Sequence, residues 1–378
     1  MFFSEIIGQA ALKKRLIQSV KDGRVSHAQL FFGPEGAGAL PLAIAYAQYI
    51  SCTGEKNDDS CGKCPSCIKY QKLVHPDLHF LFPVNTTASK KDDPYCDDFL
   101  PEWRSFVLQQ PYARLNDWYS FIELENKQGL IKEKESDAIT KKLSFKSFES
   151  DYKIAIIWMA EKMHDVASNK LLKLLEEPPD RTVFLLVTEN IDQLLTTIRS
   201  RCFPVKVPLI ADEDMINALQ ARNGVDATRS AHIARLAMGN YARALELINE
   251  NEDDGTTLST FREFMLAGFK NDIQSGLKTI DTLNALTREK QKAFLEFALR
   301  LIRENAVKHF NHAELNFMNK AEEEFSIKFS NYIKGNNVAE LADEFNKAAY
   351  DIERNGNSKI ILLDLMLKAG NLLRQYAE

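Results

Sequence analysis

The chain has 378 residues, a formal net charge of −5 at pH 7, and hydrophobic residues at 45% of its positions. Its length allows two or three domains with complete cores, and its acidic balance excludes the overall basic surface of a free-standing nucleic-acid-binding protein. The N-terminus lacks a basic segment before an apolar one, and no run approaches the roughly 18 apolar residues of a membrane span, so we expect a cytoplasmic protein.

A glycine-rich octet follows an apolar run at residues 28–32 and precedes an apolar helical pattern. In the phosphate-loop pattern G-x-x-x-x-G-K-[S/T], backbone N–H groups surround phosphates, the Lys contacts them, and the hydroxyl binds Mg²⁺. An ordinary Gly-Pro turn is the alternative for the octet alone, but the strand–loop–helix order favours the phosphate loop. The positions concerned are Gly33, Gly36, Gly38, Ala39 and Leu40. Because Ala39 replaces the Lys and Leu40 the Ser or Thr, we expect a degenerate loop with no bound cofactor and no ATP turnover.

Four of the six cysteines are spaced C-x8-C-x2-C-x2-C. Each C-x2-C segment forms a tight turn whose backbone N–H groups face the sulfur atoms, and this spacing favours binding of one tetrahedral Zn²⁺ ion. Two disulfides are the alternative, which a cytoplasmic location disfavours. A site with four protein ligands is closed to water, so we predict a structural zinc held by Cys52, Cys61, Cys64 and Cys67. We interpret His75 and His79 as ordinary polar residues, and Cys96 and Cys202 as free thiols.

Residues 85–129 combine a charged first part with an aromatic remainder that includes Trp103, Tyr112 and Trp118. The charged part is typical of a solvated loop. The aromatic part either covers the body of the domain or meets a partner, and the sequence leaves both open.

The apolar run at residues 154–159 is typical of a central strand. In P-loop ATPases such a strand ends in acids that bind Mg²⁺ and polarise water, and here Trp158 and Met159 take those places. Glu161 is a possible substitute, but strand alternation assigns it to the following loop. We therefore expect no hydrolysis in this chain.

Strands are predicted near residues 28–32, 78–82, 154–159, 183–187 and 203–207, in alternation with helical segments. This alternation indicates a mostly parallel five-stranded α/β sheet with helices on both faces. Asp165 is the expected N-cap of the next helix, which Pro178 and Pro179 end.

Further motifs occur in chain order at residues 6–9, 24–28, 169–179 and 197–202. With the glycine loop and the four cysteines, they resemble the AAA+ subunits of the bacterial sliding-clamp loader over about residues 5–245. The insert at residues 85–129 has no counterpart in the usual family pattern.

The resemblance implies that Arg201, between Ser200 and Cys202, is an arginine finger that enters the ATP site of the next subunit. A permanently charged, planar guanidinium suits that role. The alternatives are that Arg201 is a solvated surface residue, or that Arg199 is the finger. The implied function is that of a non-hydrolysing subunit that braces the loader ring. Its implied partners are loader subunits of the gamma/tau and delta types and, through the complex, the sliding clamp and primer-template DNA.

The resemblance also implies the domain order. An AAA+ core spans residues 1–208, with a zinc module at about 52–67, and a small helical lid spans 209–250. In the lid, the nucleotide-sensing arginine is displaced from the position of Ala242 to Arg243. An acidic linker at 250–255 precedes an all-α collar at 255–378. In the collar, one predicted helix face consists of Phe294, Phe297, Ala298, Leu301 and Ile302. Residues 360–367 are expected to be deeply buried or at a subunit contact.

Two other function classes remain open. A gamma/tau-type motor ATPase predicts ATP hydrolysis, against which Ala39 and Leu40 argue. A zinc-dependent nucleic-acid-binding module predicts DNA affinity without partners, against which the acidic charge balance argues.

Overall fold

The computed structural model of the chain describes residues 1–124, 127–249, 256–308, 318, 320–335, 337–354 and 356–375. The chain divides into two compact units, Met1–Asn249 and Glu250–Glu378. The linker predicted at residues 250–255 lies outside the described residues.

The first unit is built on a five-stranded parallel sheet with the strand order β2-β3-β4-β1-β5. β3 and β4 are buried along their whole length, because their apolar runs have neighbouring strands on both sides and are covered on both faces. The predicted five-stranded parallel sheet is therefore confirmed, with small differences at the strand ends. The strands are β1 (Ala28–Phe32), β2 (Leu78–Leu81), β3 (Lys153–Trp158), β4 (Thr182–Thr188) and β5 (Phe203–Lys206).

Eight helices accompany the sheet among the described residues before position 200: α1 (Ala10–Lys21), α2 (Ala39–Ser51), α3 (Pro65–Gln71), α4 (Leu100–Gln109), α5 (Leu115–Phe121), α6 (Glu133–Ser144), α7 (Asp165–Glu176) and α8 (Thr196–Arg199). α2 is almost entirely buried against the sheet. The N-cap predicted for α7 is wrong by one residue, because the side chain of His164, not Asp165, accepts the N–H of Val166. The residue before the predicted cap already has the extended backbone of an N-cap.

The aromatic part of the insert covers the body of the first unit. Trp103 stacks on Phe82 with 4.2 Å between ring centroids and lies 5.1 Å from Trp158. Trp118 is fully buried and donates its indole N–H to the carbonyl of Pro83 at 2.9 Å. Of the two alternatives, the structure supports core packing for these side chains.

Three further helices, the lid helices, complete the first unit: α9 (Asp212–Asn223), α10 (Ala227–Ala237) and α11 (Tyr241–Asn249). Their buried side chains form an apolar cluster of their own, which Ile7 and Tyr112 join. The domain boundary predicted at residue 208 stays a prediction, because residues 1–249 group as one compact unit.

The described elements of the second unit are helices, and their apolar cluster is separate from those of the first unit. They comprise α12 (Thr256–Lys270), α13 (Ile273–Asn284), α14 (Arg288–Val307), α15 (Lys320–Phe329), α16 (Val338–Glu353) and α17 (Ser358–Gln375). The predicted face of α14 is confirmed, since Phe294, Ala298, Leu301 and Ile302 are buried and Phe297 packs beside them. In α17, Leu362, Leu365 and Met366 are buried, whereas Ile360 is 65% exposed.

Among the described residues, no helix combines the length and the apolar character that crossing a membrane requires.

Candidate functional site

The glycine octet forms the turn between β1 and α2, in the strand–loop–helix order that its sequence predicts. Gly36 and Gly38 have φ angles of +71° and +91°, which side chains rarely adopt, and Gly38 is the N-cap of α2. A Cβ atom at Gly33 would collide with the carbonyl oxygen of Val207. The glycines are thus required by the backbone of this loop.

The two side chains that replace the Lys and the hydroxyl are packed within the fold. Leu40 is 6% exposed and belongs to the main apolar core, and Ala39 packs against that core. Neither side chain supplies a cation for phosphate or an oxygen for Mg²⁺.

Protein groups lie against the glycine loop. The side-chain oxygen of Asn240 is so near Gly36 that a Cβ atom there would collide with it. The amide of Asn240 donates to the carboxylate of Glu35 at 3.1 Å, and the N–H of Tyr241 donates to the carbonyl of Gly36 at 3.2 Å. The ring of Tyr112 lies against Gly38, where an added Cβ atom would be 2.6 Å from the Cε1 atom of Tyr112.

The strand-end positions also lack magnesium ligands. Trp158 and Met159 are each 2% exposed. Glu161 lies in a short 3₁₀ helix after β3, and its carboxylate accepts the N–H of Glu189 at 3.1 Å. Burial, together with repulsion from Glu35 and Glu161, raises the pKa of Glu189 to about 8.

The sulfur atoms of Cys52, Cys61, Cys64 and Cys67 all lie within 4.8 Å of one another, and the four thiols are free. Backbone N–H groups point at three of them: Cys61 N to Cys52 Sγ and Cys64 N to Cys61 Sγ, both 3.3 Å, and Cys67 N to Cys64 Sγ, 3.4 Å. Such hydrogen bonds stabilise thiolates. Burial opposes ionisation of Cys64, but hydrogen bonds from Thr53 and from the N–H of Cys67 lower its pKa to about 5. This donor set fits a tetrahedral, soft metal ion of the zinc type.

Local structure explains why the thiols converge. Cys64 is the N-cap of α3, Pro65 occupies the first turn, and Gly62 has φ +70°. His75 and His79 lie outside the cluster: Nδ1 of His75 accepts the N–H of Asp77 at 3.1 Å, and burial lowers the pKa of His79 to about 4.

Arg201 lies in the short connection between α8 and β5, two residues before the strand begins at Phe203. Its guanidinium donates to the carbonyl of Thr197 at 2.9 Å and forms an ion pair with Glu176, the last residue of α7. The side chain of Arg201 remains 35% exposed. Arg199, the other finger candidate, pairs with Asp192 at 3.2 Å.

The neighbours of Arg201 differ in their exposure. Ser200 is exposed and its hydroxyl donates to the carbonyl of Thr197 at 3.1 Å. Cys202 is 6% exposed, and burial raises the pKa of its thiol to about 12. In the lid, Ala242 is buried and Arg243 pairs with Glu246 at 3.0 Å.

Sequence reasoning missed three residues near the glycine loop: Tyr112, Asn240 and Glu189. Tyr112 and Asn240 each stood in a segment that the sequence singled out, but neither was associated with the loop. Their separation from Gly38 along the chain hides the contact from any local pattern.

A family model described as DNA polymerase III, delta subunit, matches residues 8–210, which is more than half of the chain. The chain belongs to this family. The resemblance to subunits of the bacterial clamp loader, noted from the motifs, is therefore confirmed.

Two relatives named delta′ subunits of DNA polymerase III agree with the family assignment. DNA polymerase III subunit delta′ of Bacillus subtilis (strain 168) is 28% identical over 65% of this chain, and the match spans 60% of that relative's length. The delta′ subunit of Escherichia coli (strain K12) is 24% identical over 80% of this chain and 76% of its own length. A crystal structure of a DNA polymerase III gamma subunit-related protein from Thermotoga maritima has a TM-score of 0.45 and 14% identity, covering 97% of this chain and 100% of that one.

Proposed function

We propose that this chain is a non-hydrolysing, delta′-type subunit of the replicative sliding-clamp loader, and that it acts on ATP bound by a neighbouring subunit through Arg201. Relatives named delta′ subunits of DNA polymerase III support the assignment to this complex. Loader subunits of the gamma/tau and delta types are the direct partners, and the complex mediates contact with primer-template DNA and the clamp.

The observation that carries the proposal is a contrast between two parts of the same unit. The glycine loop has Ala39 and the buried Leu40 where ATP chemistry needs a cation and a hydroxyl. Arg201, by comparison, is accessible to a partner at 35% exposure. A subunit with this pair of features contributes to hydrolysis only in trans.

The chemistry of Arg201 supports its role. Its guanidinium is held by the Glu176 carboxylate and the Thr197 carbonyl, so the planar fork is already paired with an anion. A γ-phosphate oxygen offers the same type of acceptor, and its negative charge grows during phosphoryl transfer. On assembly we expect phosphate to replace Glu176 as the partner of Arg201.

The remaining parts have supporting roles in this proposal. The four-thiol cluster holds one structural zinc ion, and the second unit is the collar that joins subunits into a ring.

Arg201→Ala tests the proposal in a loader reconstituted from this chain and its partner subunits. Arginine fingers contribute on the order of 10³-fold or more at the site they serve. Because one of several ATP sites loses its finger, we expect the total ATPase rate to fall by a modest factor and clamp loading to fall further. Arg199→Ala is the matched control and should change both rates less.

If the loader with Arg201→Ala hydrolyses ATP and loads clamps at the wild-type rates, Arg201 is an ordinary surface residue and not an arginine finger. ATP hydrolysis by the isolated chain would instead favour the motor-subunit alternative, and tight DNA binding by the isolated chain would favour the nucleic-acid-binding module.

A further inference from the structure

Tyr112 is almost completely buried, although it lies in the turn between α4 and α5 of the insert. Its side chain is 4% exposed. Its hydroxyl accepts the backbone N–H of Ile7 at 2.7 Å, and its ring meets that of Tyr241 edge-on with centroids 5.0 Å apart. Together with the contact on Gly38, the ring touches the N-terminal segment, the glycine loop and α11.

We propose that Tyr112 is an internal ligand of the glycine loop: the phenol ring of the insert packs against this loop and fastens the lid helices to the sheet without a nucleotide. The inference concerns contacts within residues 1–249 and does not depend on the role of Arg201. It assigns a function to the insert, which family resemblance left without one.

A second set of contacts points the same way. The N–H of Tyr241 donates to the carbonyl of Gly36, so the first residue of α11 is bonded to the loop itself. Asn240 links the loop to α11, because its amide donates to Glu35 and its oxygen accepts the N–H of Arg243 at 3.0 Å. The loop thus binds the chain's own backbone and side chains.

An ion pair near Tyr112 strengthens the connection to the lid helices. Arg114 forms an ion pair with Glu246 of α11, and it also contacts Asp117 at 3.2 Å within its own turn. Arg243 pairs with the same Glu246. Two residues of the insert, Tyr112 and Arg114, therefore contact α11 at separate points.

The turn that presents Tyr112 is anchored on both sides. Trp103 and Phe106 of α4 and Trp118 of α5 are all buried in the core of the sheet domain. With both flanking helices fixed, the ring is held in place before it contacts the lid helices, which limits the entropy lost on forming the contact.

The glycine loop suits a neutral ring better than a nucleotide. Ala39 and Leu40 supply no charge for phosphates, and the carboxylate of Glu35 lies within the loop, where it accepts the amide of Asn240. The phenol brings apolar area and one oxygen, which is the acceptor that the buried Ile7 N–H requires.

Tyr112→Ala in the full-length chain tests the proposal by amide hydrogen exchange. We expect exchange in α11 and at Ile7 to become at least about tenfold faster, since the contacts that close this region against local opening are lost. Exchange in α12 and α13 should stay unchanged. Millimolar 4-methylphenol, the side chain as a free molecule, should partly restore protection in Tyr112→Ala and leave the wild type unaffected.

Matched variants distinguish the contribution of the Tyr112 ring to exchange protection from that of its hydroxyl group. Tyr112→Phe should expose only the Ile7 amide to faster exchange, and it provides a reading even where Tyr112→Ala fails to fold. Tyr119→Phe, which removes a hydrogen bond to Gly129 in the same insert, should leave α11 as in the wild type. Unchanged exchange of α11 in Tyr112→Ala would overturn the proposal. Slower amide exchange of wild-type α11 in the presence of Mg·ATP or Mg·ADP would also overturn the proposal, because a nucleotide would then take the place of the Tyr112 ring.

Discussion

At the scale of one residue, Leu40 shows what replaces the magnesium-binding hydroxyl in the glycine loop. The position that holds a magnesium-binding hydroxyl in working phosphate loops is here part of the apolar core, with 6% of the side chain exposed. One side chain at this position therefore both lacks a magnesium-binding oxygen and packs in the core.

We expect Leu40→Thr to lower the free energy of unfolding of the first unit by about 2–4 kcal/mol, because it removes buried apolar volume and buries a hydroxyl. Ala39→Lys, at a partly exposed site, should cost less than about 1 kcal/mol. Chemical denaturation measures both effects.

The double variant Ala39→Lys/Leu40→Thr restores the phosphate-loop side chains, yet we expect no ATP turnover from it. Asn240 and Tyr112 still lie against Gly36 and Gly38, and the strand-end acids are still missing. Steady hydrolysis by this variant would mean that the two side chains alone had disabled the site.

At the scale of elements, the four-thiol module depends on the geometry of α3. The N-cap position of Cys64 and the turn at Gly62 bring sulfur atoms from residues far apart in the loop within 4.8 Å. Four thiolates at this distance repel one another unless a cation lies between them.

The purified chain should therefore contain one zinc ion, and a strong chelator should remove it. We expect hydrogen exchange of residues 52–71 to rise on removal while α12–α17 keep their protection, because binding energy at a structural site is folding energy for the module. Cys61→Ser should abolish stoichiometric zinc, and His79→Ala should retain it. Full zinc content in Cys61→Ser would exclude the four-thiol site.

At the scale of the whole molecule, the two compact units have separate apolar cores. Phe261 is fully buried in the second unit, where its ring meets those of Phe297, Phe325 and Phe329 at centroid distances of 5.6–6.1 Å. Each unit therefore buries large apolar side chains in clusters of its own.

Phe261→Ala should destabilise the second unit by about 3–5 kcal/mol and leave the first unit unchanged. Phe31→Ala, which removes a fully buried ring from β1, is the matched change in the first unit. Calorimetry should resolve two thermal unfolding transitions. Phe261→Ala should lower the midpoint temperature of one transition, and Phe31→Ala that of the other. A single transition that moves equally with both would show that the chain unfolds as one unit.

Local patterns in the sequence were sufficient for features set by neighbouring residues. The apolar runs predicted all five strands. β3 and β4 are apolar along their length because they are buried on both faces, whereas β5 is a mostly exposed edge strand. Cysteine spacing predicted the thiol cluster since the turns that join the sulfur atoms are short. The N-cap of α7 was wrong by one residue because His164 and Asp165 both offer a side-chain acceptor.

Tertiary structure alone decided what lies on the glycine loop and where the insert packs. Tyr112 and Asn240 reach Gly38 and Gly36 from distant parts of the chain, and no periodicity relates those positions. The aromatic insert was compatible with a covered core or a partner surface until its packing on Phe82 and Trp158 was seen. The apolar character of the aromatic side chains predicts that they are buried. Only the arrangement of the sheet and helices determines which part of the protein they pack against.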